Sequence, residues 1–416
     1  MPVLLLATLD TKGTETAFLR DRLVELGVDV CVVDTGCLAA ASIAADITRE
    51  DFYSLGSTPL TKLREAADRG QAITAAAEAA GLLATRELAA GRLLGVIGIG
   101  GSAGTTIATS AMRALPLGVP KLMVSTLASG QVRPWVGDAD VLMLNSVVDI
   151  AGLNRISRDV LDTAARAMAG LVTLDPAPPV TDSRPMVAAT MFGVTTPCVE
   201  RARQRLEEAG YEVLVFHATG NGGQAMETLI AEHFFSGVLD ITTTELADEL
   251  VGGILSAGPD RLTAAGRAGI PQVISVGATD MVNFGPRDSV PAEFSGRLFY
   301  EHNPTVTLMR TTVEENRRLG EEIGQKAAAA TGPTAVVLPM LGVSTIDHRG
   351  EPFDDPEARN ALFTALNRHS GDVELIESAH HINDPEFADV AVDRLVALMN
   401  VPGGQPPDGV DHGTGS

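Results

Sequence analysis

Along the chain, short apolar runs rich in valine and isoleucine alternate with longer, alanine-rich stretches whose apolar positions recur at helical spacing. That alternation predicts an α/β protein with a parallel sheet, because a strand covered by helices on both faces reads as a continuous apolar run. Strands are expected at residues 3–8, 28–34, 95–99, 121–126 and 141–144, and helices at 14–26, 60–90, 105–114 and 151–170. Residues 174–185 carry four prolines and no period, which marks a linker. The glycine- and proline-rich residues 401–416 read as a flexible tail. The chain thus divides into a subdomain at 1–173, the linker at 174–185, a second subdomain at 186–400 and the tail.

The second subdomain restarts like the first. Residues 3–8 (VLLLAT) and 186–190 (MVAAT) each open a strand followed by a threonine-containing turn and a helix. The two helices end at Leu26-Gly27 and Ala209-Gly210, and the next strands end in Asp34-Thr35-Gly36 and His217-Ala218-Thr219-Gly220. The correspondence recurs at Gly95-Val96-Ile97 and Gly237-Val238-Leu239. Two duplicated, Rossmann-like, doubly wound parallel-sheet subdomains are expected, their strand C-termini facing a common cleft where ligands of such sheets bind.

Composition narrows the function. With 31 basic and 53 acidic residues the formal net charge is −22, the wrong sign for holding nucleic acid through its phosphates. Aromatic residues make up 4%, too few for base-stacking platforms. Cys31, Cys37 and Cys198 form neither a CxxC pair nor an even framework, which points to a reducing, cytoplasmic setting. Residues 93–112 and 327–346 each run 20 residues without charge, but glycines and hydroxyls crowd the first and prolines break the second. Neither is expected to span a membrane.

Two turns in the first subdomain suit a phosphate. Gly98-Ile99-Gly100-Gly101-Ser102-Ala103-Gly104-Thr105 lies between a strand and a helix, where bare backbone N–H groups and the positive helix end meet an anion. The following strand ends without an acidic residue, which disfavours a dinucleotide. Asp10-Thr11-Lys12-Gly13 follows the first strand: Lys12 is suited to a phosphate, Asp10 or Glu15 to a metal, and Thr14 to a helix cap.

The second subdomain supplies the more reactive groups. His217 is expected to act as general base or acid, oriented by Glu245 or Asp240. Thr219, Gly220, Asn221, Gly222 and Gly223 precede a helix suited to a carboxylate or phosphate, and Thr243 ends the next strand. Residues 282–304 form a long polar stretch read as a lid or binding loop. Arg287 and Arg310 are placed to clamp a substrate anion. Cys198 reads as a buried structural thiol, and His380-His381 as a surface pair without metal-ligand spacing.

Several long strings in the chain resemble the Tm-one-like ATP-binding domain family: ATLDTKGTE (7–15), GIGGSAGT (98–105), FHATGNGGQAME (216–227), VGATDMVNFGPRDSVP (276–291), HNPTVTLMRTT (302–312) and GVSTIDHRGEPFDD (342–355). The resemblance implies two Rossmann-like subdomains, ATP bound with magnesium, and a homo-oligomer, a dimer or tetramer. It also implies a separate TIM-barrel partner, since similar modules occur fused to such a domain. The nucleotide is carried over onto Asp10 to Gly13 and Gly100 to Thr105 only. The expected function is ATP binding, with a small anionic metabolite met by the second subdomain. Any reaction would be phosphoryl or acyl transfer or hydrolysis; the alternatives are an ATP-regulated assembly module and a nucleotide-independent organic-acid or sugar-acid enzyme.

Overall fold

The computed structural model describes residues 1–175 and 184–400; most of the expected linker, 176–183, and the tail at 401–416 lie outside the described residues. The chain divides into two compact units, 1–180 and 181–416.

In unit 1 the strands are β1 (Val3–Ala7), β2 (Val30–Asp34), β3 (Gly95–Gly100), β4 (Lys121–Ser125) and β5 (Leu142–Asn145). They form one sheet in the order β2-β1-β3-β4-β5, with every pairing parallel. The apolar runs are continuous because successive residues serve opposite faces. Leu4 and Leu6 of β1 pack toward α4 (Arg69–Ala89) and α5 (Ser102–Arg113), while Val3, Leu5 and Ala7 pack toward α1 (Leu9–Glu25) and α7 (Arg155–Thr173). The helix expected at 60–90 is two: α3 (Leu60–Ala66) stops where Ala67 turns left-handed at φ 50°, and Asp68 caps α4 by accepting from Gly70 and Gln71 N–H. Two short helices, α2 (Arg49–Tyr53) and α6 (Arg133–Val136), complete the unit.

Unit 2 repeats the plan. Its parallel strands are β6 (Met186–Met191), β7 (Glu212–His217), β8 (Gly237–Thr242), β9 (Gln272–Gly277), β13 (Thr334–Pro339) and β14 (Glu374–Ser378), in the order β14-β13-β9-β8-β6-β7. Numbered within the unit, the order is 2-1-3-4-5-6, so both sheets reverse direction between their first and third strands. One face carries α8 (Thr196–Glu208) and α14 (Pro385–Met399); the other carries α12 (Val313–Ala328) and α13 (Pro356–His369) with α9 (Asn221–Ala231), α10 (Thr244–Val251) and α11 (Ala264–Ala268).

The stretch read as a lid is not a loop. Residues 281–310 make a small antiparallel sheet, β10 (Met281–Phe284), β11 (Phe299–Asn303) and β12 (Val306–Arg310), in the order β10-β12-β11. Burial of Met281, Val282, Phe284, Leu308 and Met309 holds it down, and the equally buried polar residues Asn283, Thr307 and Arg310 mask these runs in the sequence. The two charge-free stretches also resolve: 93–112 contains β3 and most of α5, and 327–346 contains the end of α12 and β13. Among the described residues no helix is long and apolar enough to cross a membrane.

Candidate functional site

In unit 1 the sheet reverses between β1 and β3, the place where open α/β sheets bind ligands beyond the strand C-termini. Both expected phosphate turns open there, but their structures differ. Residues Asp10, Thr11, Lys12 and Gly13 are already in α1, which starts at Leu9, with a kink at Lys12 (φ −126°, ψ 16°). Asp10 Oδ2 accepts from Leu38 N–H at 3.3 Å, Thr11 Oγ1 pairs with Thr8 Oγ1 at 2.8 Å, and Lys12 Nζ donates to the Ile150 carbonyl. Gly13 is small because Ser42 packs on it. Glu15 is buried and accepts from Gly152 N–H at 2.6 Å, so it ties down the loop before α7 and is not free for a metal. Thr14 lies on the exposed side of α1 and does not cap it; the N-cap is Thr8.

The β3–α5 turn is the open one. Gly98 and Gly100 are held small by their own chain, Gly98 against Ala108 and Gly100 against Gly104, which brings helix and strand together. Gly101 is different: it has an ordinary φ of −84°, and a Cβ there would meet nothing nearer than Thr126 Oγ1 at 3.6 Å. It is the N-cap of α5 and offers no side-chain cap, so the N–H groups of Ser102, Ala103 and Gly104 point outward without a protein acceptor among the described residues. Thr105 turns inward, bonded to the Gly101 carbonyl (2.8 Å) and Ser125 Oγ (2.7 Å). One turn on, Thr106 Oγ1 bonds Ser102 O and receives Trp135 Nε1–H at 3.1 Å, which places the chain's single tryptophan against the same helix turn.

The same features in unit 2 are filled from within. Its reversal lies between β6 and β8, and there Thr190, Thr195, Thr242 and Thr243 are fully buried. Thr195 and Thr242 hydroxyls pair at 2.8 Å, and Thr243 Oγ1 donates to the Ser275 carbonyl, so Thr243 presents nothing to a substrate. The α9 N-terminus, expected to bind an external anion, holds Glu245: its Oε1 accepts from Gly220 N–H at 2.7 Å and Gly223 N–H at 3.1 Å. Gly222 is small because the His217 backbone touches it, and Gly223 because the Glu245 carboxylate does. Thr219 bonds back to the His217 carbonyl, leaving Asn221 as the exposed residue of the run.

Nor does His217 gain its expected partners. Its imidazole is exposed at the end of β7 and stacks on Phe192 with centroids 5.6 Å apart. Glu245 and Asp240 turn instead to Arg261, which is completely buried: Nε reaches Glu245 at 2.6 Å, and Nη1 and Nη2 grip Asp240 at 2.5 and 2.7 Å. Glu227 joins at 3.1 Å and also accepts from the N–H groups of Leu262, Thr263 and Ala264. Burial pushes the Glu245 carboxyl upward while Arg261 and the Gly220 N–H pull it back. Arg310 is likewise committed, to the Phe353 carbonyl (2.8 Å), Thr311 and Asp347, whereas Arg287 lies exposed over the Phe299 ring at 3.8 Å. They form no clamp. Cys198 is the buried thiol expected, its pKa raised by burial.

Sequence reasoning missed two groups. Asp280 is buried with Oδ2 accepting from Ser344 Oγ–H at 2.8 Å and Oδ1 without a partner, and burial beside Asp347 lifts its pKa to about 7. Asp248, gripped by Asn283 N–H and Nδ2 at 2.8 and 2.6 Å, is pushed to about 7 by burial. An aspartate four residues past a threonine run gave no sign of this.

Residues 1–177 match the Uncharacterised protein family (UPF0261) N-terminal domain and residues 184–399 its C-terminal domain. The chain belongs to this family. A UPF0261 protein of Clostridium tetani is 47% identical over 399 residues, spanning 95% of this chain and 98% of its own. The ToMV resistance protein Tm-1(GCR237) of Solanum lycopersicum is 47% identical over 315 residues, 74% of this chain but 42% of that longer protein. The UPF0261 assignment agrees with the resemblance read from the sequence strings. Among solved structures, a UDP-N-acetylglucosamine 2-epimerase from Rickettsia bellii aligns over 66% of this chain and 79% of its own with a TM-score of 0.22 and 8% identity, too slight a likeness to bear on function.

Proposed function

We propose that unit 1 is an ATP-binding module whose phosphates sit on the backbone N–H groups of Ser102, Ala103 and Gly104, with the Ser102 hydroxyl beside them. The open N-terminus of α5 carries this reading: its donors have no protein acceptor among the described residues, and Gly101, which neither packing nor backbone angle requires to be glycine, leaves the approach clear. Gly100 and Thr105 support the turn from behind. Asp10 to Gly13 shape the neighbouring rim, where the Lys12 ammonium is held by the Ile150 carbonyl and the Asp10 carboxylate by Leu38 N–H.

Among the described residues no group of three or more histidine, cysteine or acidic side chains is placed to hold a metal. Magnesium therefore enters this reading with the nucleotide, where it neutralises phosphate charge. The second unit, on the same reading, meets a small anionic metabolite.

The test uses Trp135, which hydrogen-bonds the Thr106 hydroxyl near the start of α5. ATP with magnesium is expected to change its emission and to raise the melting temperature, by about 2.7 kcal/mol of added stability at a hundredfold excess over Kd. Gly101→Val is expected to remove both responses while leaving the fold intact. Unchanged emission and melting at millimolar ATP with magnesium would sink the proposal.

A further inference from the structure

A cleft of about 660 Å³ opens where β13 and β14 end side by side, Pro339 opposite Ser378. The size suits a small molecule, and the position, beyond parallel strand C-termini, is where α/β sheets take ligands. One wall is apolar, built from Met340, Leu341 and Pro356. Leu341 is 55% exposed, a large aliphatic side chain left in water at the mouth of a cavity.

The back wall is fixed. His381 is half-buried rather than a surface residue, and both its nitrogens are used: Nε2 meets the Ser344 carbonyl at 2.8 Å and Nδ1 accepts from Asn383 N–H at 3.1 Å. That pattern holds the ring neutral, and burial pushes its pKa down. Arg359 is spent on Asp347 (2.7 Å) and Asp354 (3.0 Å). The acids lining the cleft are likewise tied to protein donors: Asp354 also accepts from Gly350 N–H, and Asp384 from His381 N–H.

Two donors remain uncommitted, adjacent on one loop. Arg349 is exposed and has no hydrogen bond or ion pair among the described residues. His348 stands edge-on to His381 with centroids 5.1 Å apart, and its Nε2 lies 3.9 Å from Glu351, beyond hydrogen-bond reach. Pro356 is the first residue of α13, whose N-terminus is capped from within by Asp355, so the helix end adds no donor to the cleft. A free planar guanidinium beside an imidazole edge matches a carboxylate, and the apolar wall matches a hydrocarbon or ring body.

We propose that this cleft binds a small carboxylic acid with an apolar body, the carboxylate on Arg349 and His348 and the body over Leu341, Met340 and Pro356. The inference gives the metabolite part of the functional reading a location and a chemistry, and it stands apart from the nucleotide part.

The experiment follows histidine ring signals of the isotope-labelled full chain, with the His348 signal assigned through His348→Gln. Hexanoate and benzoate are the probes; acetate and inorganic phosphate are the comparisons. Saturable shifts at His348 with at least one probe are expected, weakened about tenfold or more in Arg349→Ala, which breaks no bond of the fold. Leu341→Ser is expected to weaken hexanoate but not acetate, which should itself bind at least about tenfold more weakly for want of the buried methylenes. Absence of saturation with both probes, equal binding by acetate or phosphate, or unchanged affinity in Arg349→Ala overturns the proposal. Trp135 emission with ATP in Arg349→Ala reports the nucleotide reading separately, so failure of one is distinguishable from failure of the other.

Discussion

Two helix N-termini of the same apparent design, α5 in unit 1 and α9 in unit 2, follow parallel strands through glycine-rich turns, yet one is open and the other is occupied by the protein itself. At α5 the N–H groups have no protein acceptor among the described residues, and a Cβ on Gly101 would make only an ordinary contact with Thr126 Oγ1 at 3.6 Å. At α9 the Glu245 carboxylate takes the place an anion would have, neutralised by buried Arg261. Glycine before a helix therefore means two things. It can clear a path for a ligand, or it can let the chain's own backbone and carboxylate close in, and what a methyl group would meet at that position tells them apart.

The most severe way to break the comparison is Arg261→Met, which would strand Asp240 and Glu245 as buried charges. Unit 2 is expected to lose about 3–5 kcal/mol in urea unfolding, whereas Arg261→Met combined with Asp240→Asn and Glu245→Gln should recover part of it. Next is Gly222→Ala, whose methyl would strike the His217 backbone, which cannot yield. A cost of about 1–3 kcal/mol is expected from the same measurement, and an unperturbed midpoint would mean the α9 turn is looser than described.

Acidity sharpens the contrast further. Asp280 and Asp248 keep their protons to about pH 7 when folded but release them near pH 4 when unfolded. The folded state thus binds more protons between those limits, and stability falls as pH rises through that window. From about pH 6 to pH 8 the unfolding free energy of unit 2 in urea should drop by on the order of 1 kcal/mol, and Asp280→Asn should flatten the slope, because an amide takes up no proton in this range. The smallest effect is at Gly101→Ala: unfolding within about 1 kcal/mol of the parent, since neither φ nor packing resists the methyl. A large loss there would place Gly101 with the packing glycines and remove the asymmetry.

The parallel sheets were legible because strands buried on both faces write themselves as unbroken apolar runs; β1, β3 and β4 lie within a residue of their expected ends. The start of α1 was not, since Asp10-Thr11-Lys12-Gly13 has turn composition and Lys12 indeed leaves helical angles. The β3–α5 turn was legible from its glycines as a tight turn between strand and helix. Arg261 was not legible as the centre of a charge cluster: Gly258-Pro259-Asp260 before it reads as an exposed turn, and its partners lie 16 to 34 residues away. The same separation hid the second cleft, whose His348 and His381 arrive on different connections.

The small antiparallel sheet of unit 2 also bears on how the chain folds. β9 and β13 are neighbours in the large sheet, with Gln272 bonded to Thr334 across 62 residues, and β10, β11 and β12 lie in that interval. Closing a loop of that length early is entropically costly and slow, whereas the β11–β12 hairpin pairs residues close in sequence. By collapsing first it would shorten the free contour between β9 and β13, so substitutions in β12 should slow refolding of the parallel sheet more than they speed its unfolding.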